Sequence, residues 1–346
     1  MTRPAPKILF ICGSLHQTSQ MHRIARELPE FRHAFTPFYG DRDFDFAKAL
    51  GALEWTIGGH KLARRCLDYL RDHQLPCEPG GALGDFDLAV HCTDLLWPSN
   101  LDGKPVVLVQ EGMTDPPNAL LPLARRIPQF PRYLAGTSAL GLSHRYRRFC
   151  VASEGYARHF AEKGCDPRRL VVTGIPNFDQ CSRYAVNDFP QHGYVLACTS
   201  DTRETFGRED RRAFLERATA IAKERRRPLL VKLHPNEKVA RATAEIRAFA
   251  PEATVYATGS AEEMVANCST LVVTYSSLAY VGLALGKEVH SSFDVRELEA
   301  LLPVQNGRAA KNIANVVRAE LGGGPQPRGA DRTVWRSTGK RAEVLS

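Results

Sequence analysis

The chain has 346 residues, of which 43% are hydrophobic and 24% charged, an ordinary globular composition long enough for two domains at ~150 residues each. Its 46 Lys and Arg outnumber its 38 Asp and Glu, for a net charge of +8, so anionic partners such as nucleotide phosphates, lipid head groups and acidic glycans are favoured. No zinc finger, RNA-recognition signature or long basic run accompanies that charge, which argues against nucleic acid, and no stretch approaches the ~18 apolar residues of a membrane span.

The apolar run near the N-terminus is too short for a signal peptide. The nine cysteines form no C-x-x-C pair, and Cys12, Cys92, Cys150 and Cys198 sit in apolar runs. That pattern predicts reduced, buried thiols and a cytoplasmic address. A peripheral position on the inner face of the cytoplasmic membrane stays open.

Residues 7–12 (KILFIC) predict a buried strand, Gly13 and Ser14 a turn, and residues 19–28 an amphipathic helix. Strand, small-residue turn and helix open a doubly wound domain and set backbone N–H groups at a helix start. The turn lacks the G-x-G-x-x-G fingerprint, and a plain tight turn fits Gly13 and Ser14 equally well. Residues 33–37 predict a second strand. Residues 59–73 predict a helix with Leu62, Cys66, Leu67 and Leu70 on one face.

Two more strands follow at 87–91 and 105–109, the second ending in Gln110-Glu111-Gly112. A carboxylate at a strand end, beside a glycine that leaves space, suits a general base. Glu111 is therefore the first catalytic candidate and Asp115 the second, with a structural acid in a turn as an equal alternative. Residues 119–148 carry Arg125, Arg126, Arg132, Arg145, Arg147 and Arg148 among Phe130, Tyr133, Leu134, Leu140, Leu142 and Tyr146. Such interleaving suits an anionic membrane surface or a charged acceptor; the plainer reading is a packed loop and helix with exposed arginines.

A strand at 149–152, a helix at 154–163 and a strand at 170–173 complete the first half. The last leads into Gly174, Pro176 and Asn177, which join Gly13 and Ser14 as candidate cleft loops. The aperiodic stretch that follows sets a domain boundary between residues 185 and 186.

The α/β rhythm then resumes. Residues 194–198 predict a strand that ends at Thr199, and residues 210–226 a helix. The stretch LLVKLHPN (229–236) reads as a buried strand that delivers Lys232, His234 and Pro235 to its carboxyl end, where ligands of open α/β sheets bind. Helix 237–250, strand 253–256, helix 261–267 and strand 270–273 lead to Thr274-Tyr275-Ser276-Ser277 and a helix at 278–285. Serines at a helix start offer hydroxyls and N–H groups to a phosphate, or simply cap the helix. A last helix spans 309–321.

The order Glu111-Gly112, His234-Pro235, Ser276-Ser277 resembles that of GT-B glycosyltransferases using cytidine-nucleotide donors. These are the bacterial sialyltransferases, capsule β-Kdo transferases and CDP-glycerol glycerophosphotransferases. The phrases CVASEGYARHFAEKGCDPRRLVVTGIPNFD and LVVTYSSLAYVGLALGK are similar to the glycerophosphotransferase and UDP-GlcNAc 2-epimerase-like parts of this group. The similarity runs over about residues 86–320, with 7–28 fitting more loosely. At two positions this chain departs from the pattern: Thr274 stands where an Asp is usual, and Val281 where a Glu is frequent.

The resemblance implies an α/β chain of GT-B type, with two Rossmann-like doubly wound domains facing a central cleft. Residues 1–185 would take the acceptor, residues 186–322 the nucleotide donor, and 323–346 would form a flexible tail. Thr199, Lys232, His234, Pro235, Tyr275, Ser276 and Ser277 would hold the donor base and phosphates while Glu111 deprotonates the acceptor. Neither a metal nor a cofactor is implied, because helix dipole and side chains meet the diphosphate charge. The implied activity is transfer of a sugar or polyol phosphate from a CMP- or CDP-linked donor to a cell-envelope glycan or lipid acceptor. A UDP-sugar epimerase or hydrolase and a non-catalytic nucleotide-binding module are the alternatives.

Overall fold

A computed structural model describes residues 4–322, apart from 52, 55, 128–129 and 201–209. The tail expected at 323–346 lies outside the described residues. Two parallel sheets organise the rest. The first holds β1 (Lys7–Ile11), β2 (Arg32–Thr36), β3 (Leu88–His91), β4 (Val106–Val109), β5 (Arg148–Val151) and β6 (Leu170–Val172), in the order β2-β1-β3-β4-β5-β6. The second holds β7 (Val195–Cys198), β8 (Leu229–Lys232), β9 (Thr254–Tyr256), β10 (Thr270–Val272) and β11 (Glu288–His290), in the order β11-β10-β7-β8-β9.

Strands such as Val106–Val109 and Val195–Cys198 are buried along their whole length, as strands covered by helices on both faces must be. Around the first sheet lie α1 (Leu15–Arg26), α2 (Arg42–Ala49), α3 (His60–Asp72), α4 (Leu121–Arg126) and α5 (Glu154–Lys163). With the second sheet come α6 (Arg211–Arg225), α7 (Val239–Phe249), α8 (Ala261–Asn267), α9 (Leu278–Ala284) and α10 (Val295–Leu301). In each sheet the first strand has later strands on both sides, so the winding direction reverses between β1 and β3 and between β7 and β10. Crevices at the carboxyl ends beside such reversals are where open α/β sheets bind ligands.

Five features differ from the sequence expectation. Helix α1 starts at Leu15 rather than residue 19, because Ser14 takes the cap and its Oγ accepts the Gln17 N–H at 3.2 Å. Helices α2 and α10 and strand β11 were not expected; each is short, and β11 offers only Val289 as an apolar residue. Helix α11 (Ala309–Glu320) follows the second sheet in sequence but packs on the first. Its Ile313 and Val317 share a core with Ile8, Phe10 and Val107. Arg148 reaches its Glu320 at 2.8 Å, and Asp179 accepts the Ala309 N–H at 2.9 Å.

All nine cysteines are free, and Cys77 alone among them is exposed. Among the described residues no helix is long and apolar enough to cross a membrane.

Candidate functional site

The apolar run of β4 stops at Val109, and the next residue fixes how the chain leaves the sheet. Gln110 is buried; its Oε1 accepts the Ala152 N–H at 2.9 Å and its Nε2 donates to Gly112 O at 2.8 Å. Glu111 is thereby presented, partly exposed, towards the turn that follows β1. Its Oε1 accepts from Ser14 Oγ at 2.8 Å and its Oε2 from Gln17 Nε2 at 2.5 Å. Both donors are neutral, so the carboxylate is oriented without an ion pair and keeps lone pairs for a further proton. Gly13 is needed for this arrangement, since a Cβ there would stand 2.0 Å from Gln17 Oε1.

Asp115 belongs elsewhere. Its backbone N–H donates to Thr137 Oγ1 at 2.7 Å and its Oδ2 accepts the Thr137 N–H at 3.0 Å, a reciprocal clasp across a loop. The remaining candidate loops of this half also have structural duties. Asn177 Nδ2 donates to His16 O at 2.9 Å, Pro176 O accepts from Arg23, and Gly174, at φ +77°, lies against Ala309. They pin the start of α1 and the approach to α11.

In the second half, β10, β7 and β8 are consecutive parallel neighbours. The turns after them therefore share one edge, which brings Thr199, His234 and Thr274–Ser277 together, with the outer two roughly 10 Å apart at ~4.8 Å per strand. The His234 N–H donates to Thr199 Oγ1 at 3.1 Å and to Glu237 Oε2 at 3.0 Å. His234 Nδ1 accepts the Asn236 N–H at 3.3 Å, which puts the proton of the neutral ring on Nε2. Pro235 is exposed beside it.

Lys232 does not match the expectation of a cleft-facing cation. It is 5% exposed and its Nζ donates to Leu233 O at 2.7 Å. Burial lowers its pKa below the ordinary lysine value.

Ser276 Oγ accepts the Leu278 N–H at 3.3 Å, an ordinary local cap. Ser277 instead reaches the first half, where its Oγ accepts the Met113 N–H at 3.2 Å. Tyr275 is 57% exposed and meets Phe293 edge-on at 4.9 Å. Val281 is fully buried in the core, so this position offers nothing to a ligand.

The two sheet edges close on each other. A Cβ on Gly112 would come within 2.9 Å of Ser277 Oγ, so glycine is what lets the two turns touch. Nearby, the hydroxyls of Tyr156 on α5 and Tyr280 on α9 lie 2.6 Å apart. Of the expected site residues, the structure thus brings together Ser14, Glu111 and Ser277, and places Thr199 with His234. It leaves Lys232, Asp115, Gly174, Pro176 and Asn177 in other roles.

Sequence reasoning missed Gln17 and, above all, Glu237. The Glu237 side chain is fully buried. It accepts from Arg211 Nη2 at 2.5 Å, from Thr199 Oγ1, and from the His234 N–H. The available signal was its spacing: a Glu three residues after a turn residue, able to reach back to that residue's N–H as in a capping box.

The arginine-rich stretch divides. Arg145 pairs with Asp102 and lies 4.9 Å over Trp97, and Arg148 pairs with Glu320. Arg125 and Arg126 stay exposed beside Leu120, Leu123, Ile127, Tyr133 and Leu134, each at least 36% exposed. The surface available to a membrane or acceptor is therefore narrower than the sequence suggested. Among the described residues no group of three His, Cys, Asp or Glu is placed to hold a metal ion.

No family model and no curated protein matches the chain. Solved structures do. A candidate UDP-N-acetylglucosamine 2-epimerase of Listeria monocytogenes superposes with a TM-score of 0.58 at 12% identity, over 94% of this chain and 99% of that one. The UDP-GlcNAc 2-epimerase of Neisseria meningitidis, solved with UDP-GlcNAc, gives 0.56 at 12% identity, over 90% and 100%. The wall teichoic acid polymerase TagF is more distant, at 0.46 and 10% identity over 93% and 81%. Two parallel α/β sheets with their carboxyl edges opposed, in the arrangement of these epimerases, make this chain a GT-B fold protein.

Proposed function

We propose that this protein is a GT-B transferase. It would move a sugar or polyol phosphate from a nucleotide-activated donor, CMP- or CDP-linked, to a hydroxyl of a cell-envelope glycan or lipid. One observation carries the reading: Ser277, in the turn after β10, touches Gly112-Met113, the residues that follow the oriented carboxylate of Glu111. In this scheme Glu111 takes the proton of the attacking acceptor hydroxyl, while Ser14 and Gln17 hold its two oxygens in place. His234 and the Tyr275–Ser277 turn bind the donor nucleotide, with Thr199 beneath. Their side-chain and backbone donors, rather than a metal ion or added cofactor, would meet the phosphate of the leaving nucleotide, CMP in both of these transfers.

The exposed apolar patch with Arg125 and Arg126 would rest on an anionic membrane where a lipid-linked acceptor resides. A second reading, epimerisation or hydrolysis of a UDP-sugar, is favoured by the epimerase folds that superpose over nine-tenths of the chain or more. It would use the same base without an acceptor.

Thermal shift with CMP, CDP, UDP, GDP and ADP, in the absence of metal, separates the readings, because a ligand that binds only the folded state raises the melting temperature. The expected result is a rise with a cytidine nucleotide that His234→Ala removes. A rise with UDP alone transfers the assignment to the UDP-sugar enzymes. No rise with any nucleotide overturns both.

A further inference from the structure

Beside the junction of Met113 with Ser277 lies a cavity of about 470 Å³ between the two halves, within the ~300–1,000 Å³ of small-molecule pockets. The first half lines it with the loop that starts at Met113 and with α5; the second lines it with α10 and Phe293. It adjoins the candidate site at two points. Met113 bonds Ser277, and Phe293 packs on Tyr275, the residue before Ser276.

The charge of the lining is lopsided. Asp115, Glu162 and Glu297 line it with one guanidinium, Arg158, and the buried Lys163 ammonium stands behind the wall, 3.5 Å from Thr114 Oγ1. Arg158, Glu162 and Glu297 take no hydrogen bond or ion pair among the described residues, and one oxygen of Asp115 is bound to Thr137. Burial pushes the His159 ring down to about 4, so it is neutral at physiological pH and offers one donor and one acceptor. Phe293 and the buried Tyr156 complete the wall.

We infer that this cavity is the acceptor subsite and that it binds an uncharged polyhydroxy ligand, a saccharide or polyol unit, rather than a phosphate-bearing one. Three carboxylates still outnumber the two cations, Arg158 and the buried Lys163, and disfavour an anion, whereas hydroxyl groups can donate to carboxylates and accept from Arg158. The subsite deepens the transferase reading and rests on Glu111 being the base, since it supplies the hydroxyl that Glu111 would deprotonate.

Saturation-transfer NMR on the full chain tests it, with maltose, cellobiose and N,N′-diacetylchitobiose as uncharged probes and glycerol 3-phosphate as the anionic one. At least one disaccharide should show saturation transfer above that of glycerol 3-phosphate. Its affinity should fall at least fivefold in Glu297→Ala and in Arg158→Ala, which line the cavity but touch neither His234 nor Glu111. Unchanged melting temperatures of those variants, and an unchanged nucleotide-induced rise, would show that they are folded. Stronger transfer to glycerol 3-phosphate, no transfer to any disaccharide, or equal transfer in both variants overturns the inference. Disaccharide binding without any nucleotide-induced shift would uphold the cavity and remove the donor assignment, so the two failures are separable.

Discussion

Two glutamates stand just beyond parallel strands, Glu111 after β4 and Glu237 after β8, and their surroundings differ in kind. Glu111 is partly exposed and held by two neutral donors, Ser14 and Gln17. Glu237 is fully buried, ion-paired to Arg211 at 2.5 Å, and spends its other oxygen on Thr199 and the His234 N–H. A general base needs access to a substrate proton, and an ion pair would lower its basicity. A positioning carboxylate needs the opposite: full desolvation, and partners for every lone pair. Strand-end position does not tell the two carboxylates apart; the charge and number of their donors do.

The largest effect that tests this contrast is on rate. Glu111→Gln keeps the shape and one acceptor oxygen but cannot take a proton. Turnover of the donor that raises the melting temperature should drop by about 10²- to 10⁴-fold, the usual share of a general base. Nucleotide binding should be unchanged. Turnover within threefold of the wild type would remove Glu111 from the chemistry and make it a second structural acid.

Glu237 should show the reverse profile. Glu237→Leu removes the carboxylate that the buried Arg211 meets, and breaking a buried ion pair typically costs about 3–5 kcal/mol. Urea unfolding should report that loss, and Glu237→Gln, which still accepts from the His234 N–H, should lose less. Because Glu237 fixes the backbone at His234, Glu237→Leu should also weaken nucleotide binding, and more than Glu237→Gln does, while leaving the environment of Glu111 untouched. If Glu237→Leu unfolds like the wild type, the buried network carries no structural weight and the contrast collapses.

The sequence made these two residues unequally visible, and the reason is physical. Strands β1, β4, β7 and β8 are buried on both faces, so they read as unbroken apolar runs, and whatever follows them stands out as a strand end. Glu111 and Ser277 were legible on that ground. Glu237 opens a stretch, EKVARATAEIR, that has the polarity of a surface helix, and nothing local reveals that Arg211 comes from another helix to meet it. Lys232 was misread for a related reason: a strand-end lysine can turn inward to a carbonyl as readily as outward. The amphipathic face of α11 shows that it must pack, but not on which sheet. Long-range partners of this kind are fixed by topology rather than by neighbouring residues.

The smallest effect concerns the seam that holds the two environments opposite each other. Tyr156 and Tyr280 share a hydroxyl–hydroxyl contact of 2.6 Å between α5 and α9, and burial raises both phenols, Tyr156 to about 12. Both are therefore neutral across the physiological range, and the contact is a plain hydrogen bond, worth about 0.5–1.5 kcal/mol net. Removing either hydroxyl as Tyr156→Phe or Tyr280→Phe strands the other, while removing both costs less than the sum. A double-mutant cycle in urea unfolding should give a coupling of about 1 kcal/mol. If the contact also latches the halves, each single variant should bind nucleotide more weakly, by no more than about tenfold, because ~1.4 kcal/mol corresponds to tenfold in affinity. A zero coupling would mean that this contact does not latch the halves, which are then held by the buried apolar surface and by other polar contacts such as Ser277 with Met113 and Ser153 with Leu301 O.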